Sequence, residues 1–261
     1  MTIKIATANQ NISEIHKELL TSLSEGIIPA DAKVIYKGRN TVYTIHDNGR
    51  YINIKAFKKP SFPNNYVYTT FRKSKACRSF ENAQRLIELG VNTPLPIAYI
   101  EIKECGKLTR SYYLSEQMDN LQTVRDWSKF DFTDQLLDNL AVFMKELTDK
   151  HIYHRDFSPG NILFEKTDDD KFTFYLVDLN RMEFEITDSD KMNRMFRAIT
   201  TNQAENQDLA HRFALTTGLD INQTQQMAAR QLQNYINEKE RNGKIKKIFK
   251  IKSSPKPQNL V

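Results

Sequence analysis

The sequence predicts an α+β protein in two lobes, an antiparallel sheet followed by a mainly helical part. Alternating, β-prone runs crowd residues 1–117, apolar residues at helical spacing dominate 118–252, and the Pro-, Ser- and Lys-containing tail 253–261 is expected to be disordered. With 261 residues, 39% of them hydrophobic, the chain can bury a sizeable core, as one large domain or as two lobes. A short polar loop, 154–161, lies between apolar runs and presents its side chains from a backbone stiffened by Pro159 and Gly160.

Composition sets the outer bounds. A net charge of +6 and a pI near 9.1 suit anionic partners such as a nucleotide, a phosphorylated glycan, an anionic membrane surface or nucleic acid, without choosing among them. Cys77 and Cys105 are too few for a disulfide framework and lack metal-ligand spacing, which favours a reducing compartment. The opening residues carry no apolar stretch of export-signal length, and nothing approaches the ~20 apolar residues of a membrane span, so a cytoplasmic protein is expected.

Taken in order, Asn11 to Leu23 place Ile12, Ile15, Leu19, Leu20 and Leu23 on one helical face, with Asn11 and Glu14 in capping-box positions. Lys33 to Ile45 follows as strand, turn and strand, and Asp47-Asn48-Gly49 turns the chain into a third strand, Tyr51 to Phe57. A basic segment, Phe71 to Arg78, leads into a helix from Ser79 to Leu89 that stops at Gly90. Two more strands, Ile97 to Lys103 and Ser111 to Gln117, flank a turn at Cys105-Gly106. Thr123 to Trp127 is expected to begin a helix, and Asp134 to Lys150 forms a long amphipathic one through Leu136, Leu140, Phe143 and Leu147. Past Asp178 the pattern is helical, with Met192, Met195, Phe196 and Ile199 on one stripe and Met227, Leu232, Tyr235 and Ile236 on another. The end, Lys239 to Lys256, interleaves eight basic residues with Ile245, Ile248, Phe249 and Ile251.

The chemistry concentrates in two places. Asp156 and Asn161 stand five positions apart in the polar loop, and the apolar run Phe174 to Val177 ends in a further carboxylate, Asp178. One carboxylate to deprotonate a hydroxyl, and an Asn and an Asp to hold Mg²⁺ against nucleotide phosphates, is the layout of a phosphoryl-transfer site. The plain alternative makes Asp156 a turn cap and His154 a satisfied core histidine.

His154-Arg-Asp-Phe-Ser-Pro-Gly-Asn161 resembles the catalytic loop of the protein-kinase-like fold, H-R-D-L-x-x-x-N, with Phe157 in the Leu place. Lys55, in Asn53-Ile-Lys-Ala-Phe57, matches the strand lysine that pairs with nucleotide phosphates. Glu81 matches by position the helix glutamate that pairs with that lysine, although Glu88 is a rival. Gly38, the one glycine in Lys37-Gly-Arg-Asn-Thr-Val42, sits where a glycine-rich loop covers the phosphates, with Arg39 and backbone N–H groups available to phosphate oxygens. Backbone groups of Glu116 and Met118 are assigned to the adenine edge by the same resemblance. Asp178-Leu-Asn180 replaces D-F-G, no A-P-E follows, and Ser158 stands where serine/threonine kinases carry Lys. These departures point away from protein substrates.

With the Gly90-Val-Asn-Thr-Pro94 helix exit and Val177-Asp-Leu-Asn-Arg181 added, the chain from about Ala32 to about Thr200 is similar to the bacterial lipopolysaccharide kinases, including the Kdo kinases of the inner core. The resemblance implies ATP and Mg²⁺, a sugar hydroxyl on a lipid-linked glycan as acceptor, and work at the cytoplasmic face of the inner membrane. It makes Asp156 the catalytic base, Asn161 and Asp178 the Mg²⁺ ligands, and Lys55, Glu81, Gly38, Arg39, Glu116 and Met118 the nucleotide-binding set. The rivals are a small-molecule kinase of the aminoglycoside or choline type, an atypical protein kinase and a pseudokinase scaffold. The basic carboxy-terminal segment fits an anionic membrane surface or a solvated terminal helix. Nucleic acid, suggested by charge alone, is not an expected partner.

Overall fold

A computed structural model describes residues 1–8, 16–59, 73–125, 127–167 and 171–252, with 244–252 described by backbone alone. Expectations placed on Asn11, Ile12, Glu14, Ile15 and Arg72, on the side chains of Ile245, Ile248, Phe249 and Ile251, and on the tail 253–261 lie outside these residues. The chain forms two compact units, Met1–Arg125 with Gly160–Glu183, and Asp126–Pro159 with Phe184–Val261. Neither is continuous in sequence, so a single cut near 117 does not describe them.

The first unit is built on a six-stranded antiparallel sheet. Its strands are β1 (Thr2–Thr7), β2 (Lys33–Lys37), β3 (Thr41–Asp47), β4 (Arg50–Ala56), β5 (Pro96–Glu104) and β6 (Lys107–Glu116), in the spatial order β1-β5-β6-β4-β3-β2. Strand β1 had no counterpart in the sequence pattern. Its Ile3 and Ile5 remain exposed, and backbone pairing with β5, Thr2 opposite Lys103, holds it in place. Helix α1 (Lys17–Ser24) lays Leu19, Leu20 and Leu23 on the sheet face made by Ile45, Ile52, Ile54, Ile100, Ile102 and Leu114. Each such leucine contributes about 2 kcal/mol, and truncating Leu23 to alanine costs about 2–5 kcal/mol.

The opposite face receives helix α2 (Lys75–Glu88), whose Phe80 ring packs 5.4 Å from that of Tyr99. This helix starts four residues before the position expected from sequence. Ser74 is its N-cap, taking the Cys77 N–H at 3.0 Å, so the end of the basic segment is the first helical turn. A smaller sheet, β10 (Phe172–Leu176), β9 (Ile162–Lys166) and β7 (Gln122–Thr123), completes the unit. The helix expected from Thr123 is instead this short strand and, in the second unit, a 3-10 turn at Trp127–Lys129. The Val124 N–H donates to Ile162 O at 3.0 Å, and that pairing draws the chain into the sheet.

The second unit is helical. It contains α3 (Thr133–Asp149), the two-residue strand β8 (Tyr153–His154), α4 (Ser189–Met192), α5 (Gln203–Thr217) and α6 (Ile221–Lys252). Asn202 caps α5 by accepting from Ala204 N and Glu205 N, and Gly218 ends it at φ 73°, a conformation that suits a residue without a Cβ. Arg212 on α5 bonds Asp134 and Asp138 of α3 at 2.5 and 2.7 Å and Asp208 at 3.1 Å, clamping the two helices together. The Met192, Met195, Phe196 and Ile199 stripe is buried as expected, but a 3-10 turn over Asn193–Arg197 carries its middle.

Candidate active site

Strand alternation decides where Lys55 points. Ile52 and Ile54 face α1, so Lys55 stands on the other face, opposite Tyr113 of β6 and on the side where α2 packs. Its Nζ donates to Asp178 Oδ1 at 2.6 Å, and both side chains keep limited solvent access, 17% and 33%. Asp178 ends the β10 run with φ 59°, a left-handed conformation that Asp tolerates when its surroundings hold it. Here they do. Asn180 Nδ2 donates to the same Oδ1 at 2.7 Å, and the Leu179 and Asn180 carbonyls accept from Asn82 Nδ2 at 2.7 Å and Arg78 Nη1 at 2.8 Å. Asn161 is tied to this segment through the Val177 N–H, which donates to its carbonyl at 3.0 Å. Lys55, Asn161 and Asp178 are thus brought together within the first unit.

Glu81 is not among them. Its carboxylate takes the Lys73 ammonium at 2.7 and 2.8 Å, both partners being exposed, while Lys55 is committed to Asp178. Helical geometry supplies the reason. Arg78 and Asn82 define the α2 face that meets 179–180, and Glu81, one residue before Asn82, is rotated by about 100° from it. Glu88 is no substitute, since it pairs with Arg85 at 3.2 Å on the exposed surface. The residues that tie α2 to the Asp178 segment are Arg78, Asn82 and Asn180; from sequence Arg78 was placed only in the basic segment and Asn180 only in the motif after Asp178, and Asn82 was not singled out. The i, i+4 spacing of 78 and 82 was the available signal.

The remaining nucleotide-binding candidates lie at the ends of strands. Gly38 and Arg39 form the exposed turn between β2 and β3, closed by the Gly38 N–H to Asn40 O at 3.0 Å. A Cβ on Gly38 would meet the Tyr36 ring, so the turn favours glycine for packing. Glu116 ends β6 and donates its N–H to Leu95 O at 2.9 Å, and the Met118 carbonyl accepts from Gln117 Nε2 at 3.2 Å. At Gly160 a Cβ would meet the Arg125 guanidinium, so a larger residue immediately before Asn161 would need that side chain to shift.

Asp156 belongs to the second unit, whose boundary falls inside the loop motif, between Pro159 and Gly160. His154 is fully buried and holds the turn around Asp156. Its Nδ1 accepts the Asp156 N–H at 3.1 Å and its carbonyl accepts the Phe157 N–H at 3.0 Å, while Phe157 is itself buried. The motif histidine therefore organises backbone, and the Asp156 side chain is left half-exposed. This places His154 in a structural part and leaves Asp156 the acid–base candidate.

The lipopolysaccharide kinase (Kdo/WaaP) family model matches residues 31–215. The chain belongs to this family. A 3-deoxy-D-manno-octulosonic acid kinase of Vibrio cholerae serotype O1 is 26% identical over 133 residues, 51% of this chain and 54% of that protein. The chain therefore spans about half the length of the curated relative it matches. Among solved structures, WaaP in complex with acyl carrier protein superposes with a TM-score of 0.60 at 14% identity, covering 91% of this chain and 98% of that one, a likeness of fold. A weaker likeness, from which nothing is drawn, is to the Rio2 kinase complex from Chaetomium thermophilum, with a TM-score of 0.47, 16% identity and coverage of 86% and 75%. The two-lobed, protein-kinase-like α+β fold expected from the motifs is the fold of this chain.

Proposed function

We propose that the protein is an ATP-dependent phosphotransferase acting on a sugar hydroxyl of lipopolysaccharide inner core, a Kdo-type acceptor. The Lys55–Asp178 pair carries this reading, joined as it is to Asn161 through one backbone hydrogen bond. A buried-side lysine, a strand-end carboxylate and an asparagine within one unit are the groups needed to bind a nucleotide polyphosphate. Their oxygens suit Mg²⁺, which takes one or two protein carboxylates and fills its remaining positions with phosphate and water. Bound there by Asn161 and Asp178, Mg²⁺ would neutralise charge on the transferring phosphoryl group. Lys55 would hold phosphate oxygens, and Asp156 would take the proton from the attacking sugar hydroxyl.

The segment after Asp178 supports a non-protein acceptor. Only ten residues, 179–188, separate Asp178 from the next α-helix at Ser189, too few for the long activation segment that seats a peptide chain. Among the described residues no helix is long and apolar enough to cross a membrane. Access to a lipid-linked acceptor would then come from peripheral binding through the basic end of α6, at the inner face of the inner membrane. Vesicle co-sedimentation at low and high salt, with and without residues 240–261, tests that part.

The activity is tested with purified protein, labelled ATP and Mg²⁺ against Kdo-containing lipid A precursors, a protein mixture, aminoglycosides and choline in parallel. Label in the lipid-linked glycan is the expected result. Label only in protein, or only in a soluble metabolite, assigns the chain to another kinase class, and nucleotide binding without any transfer returns the scaffold reading.

A further inference from the structure

In the second unit, the 3-10 turn Asn193–Arg197 and the middle of α6 enclose a cavity of about 470 Å³. Side chains three apart on a 3-10 turn eclipse one another, so Arg194 and Arg197 fall on one side while Met195 and Phe196 between them enter the core. On α6, Gln231, Asn234, Glu238 and Arg241 follow at spacings of three and four and share a face. Leu232 is the last buried residue of that helix among its described side chains, so the seam against the turn runs on with no apolar side chain to close it. All seven lining residues are polar or charged, Asn237 completing the set. An apolar gap of this size stays dry, whereas a polar one is filled by water or by a polar ligand.

Three guanidiniums line this space against one carboxylate. Arg197 donates to Glu238 and lies 5.8 Å from the centre of the Tyr235 ring, so one cation is matched. Among the described residues Arg194 and Arg241 have neither an ion-pair nor a hydrogen-bond partner. The Arg197 Nε–H is buried with no acceptor, a donor that the fold leaves over. Gln231 and Asn234 offer amide donors and acceptors, and Asn237, whose Oδ1 accepts from Gln233 at 2.9 Å, keeps its NH₂ group. Guanidinium forks match carboxylate and phosphate oxygens, and amides match hydroxyls, while a lining without apolar or aromatic members offers nothing to an acyl chain or a nucleobase. We propose that the cavity binds an acidic sugar, a polyhydroxylated ring carrying a carboxylate or a phosphate. Arg194 and Arg241 take the anionic group, and Gln231, Asn234 and Asn237 take hydroxyls. None of these residues belongs to the catalytic or nucleotide-binding set, and binding there does not depend on phosphoryl transfer. A lipid-linked glycan and a free sugar acid or sugar phosphate present the same chemistry.

The test uses the full chain. It is titrated in a calorimeter with glucose 6-phosphate, galacturonate and neutral glucose, and sedimented with Kdo-containing lipid A precursor or with anionic phospholipid vesicles. At least one acidic sugar, free or lipid-linked, should bind, and glucose should not. Combining Arg194→Met with Arg241→Met should weaken that binding by about tenfold or more, the scale of charge-assisted hydrogen bonds, with the unfolding midpoint and Mg²⁺–ATP affinity unchanged. Lys33→Met with Lys107→Met, which removes the same charge from exposed positions of the large sheet, should leave it intact. Glu238→Gln should tighten it severalfold, since the one anion in the lining is removed and Arg197 is released. A loss confined to the precursor assigns the site to the glycan, and one confined to the free sugars assigns it to a soluble metabolite. Unaltered binding in the arginine variant, equal weakening by the lysine variant, or glucose bound as well as the acidic sugars would overturn the proposal. An effect seen only with phospholipid vesicles would overturn it too, giving the arginines to a membrane surface. Arginine-dependent sugar binding in a chain that transfers no phosphate would remove the kinase reading and leave this site standing.

Discussion

The two units handle charge in different ways. In the second, one guanidinium, Arg212, is met by three carboxylates, Asp134, Asp138 and Asp208, and its side chain is only 17% exposed. Burial works against its charge, but the hydrogen bonds it donates to the three carboxylates win, and its pKa rises. In the first, one carboxylate, Asp178, meets one ammonium, taking Lys55 Nζ at 2.6 Å and the Asn180 amide at 2.7 Å on the same oxygen. A guanidinium matched by three carboxylates is committed to the fold, whereas a one-to-one ammonium–carboxylate pair can exchange its partner for a ligand. The Arg212 arrangement is that of a structural ion cluster, and the Lys55–Asp178 arrangement is that of a candidate binding site.

The comparison breaks most sharply at the carboxylates themselves. Asp178→Asn should abolish Mg²⁺-dependent nucleotide binding. Asp156→Asn should leave that binding nearly intact while turnover falls by at least ~10²-fold, the scale of general-base losses. Steady-state kinetics with parallel titration calorimetry read both, and near-normal turnover in either variant would remove it from the site. Lys55→Met, next in size, should weaken ATP binding by about 10–100-fold, as loss of a charge-assisted contact does, with little change for AMP.

In the second unit the effect should fall on stability. Arg212→Met leaves three carboxylates facing one another and should cost about 2–4 kcal/mol, tempered by the exposure of Asp134 and Asp138, in denaturant unfolding. Arg212→Lys should recover only part, because an ammonium cannot span three acceptors in a fork. Tyr113, on the Lys55 face of the sheet, is pushed above its usual range by burial, against a lowering hydrogen bond with Ser115. Its stabilising contribution is therefore fully present below the unfolded value near 10 and is lost as pH rises towards the folded value. Alkaline unfolding should show a slope of up to about 1.4 kcal/mol per pH unit from this group, absent in Tyr113→Phe. The smallest effect is expected at Glu81. Because its partner is the exposed Lys73, Glu81→Gln should change stability by under about 0.5 kcal/mol and turnover by no more than about twofold. A large loss of ATP affinity there would restore it as the partner of Lys55.

Local pattern by itself determined much of this protein. Alternation in 41–56 and 96–116 set the strands and put Lys55 on the face away from Ile52 and Ile54, and helical spacing set 133–149, because each segment buries one face whatever its partner. The loop residues Asp156 and Asn161 and the strand-end Asp178 were legible because their spacing is short and covalently constrained. Tertiary structure alone decided the partners. Strand β1 exists through pairing with β5, and the residues after Thr123 are drawn away from a helix by Ile162. Lys55 finds Asp178, 123 positions away, in place of Glu81, because the choice depends on how α2 is rotated, and Ser74 starts that helix earlier than apolar spacing suggests. A helix announces which residues share a face, but what that face meets is settled by packing among elements far apart in sequence.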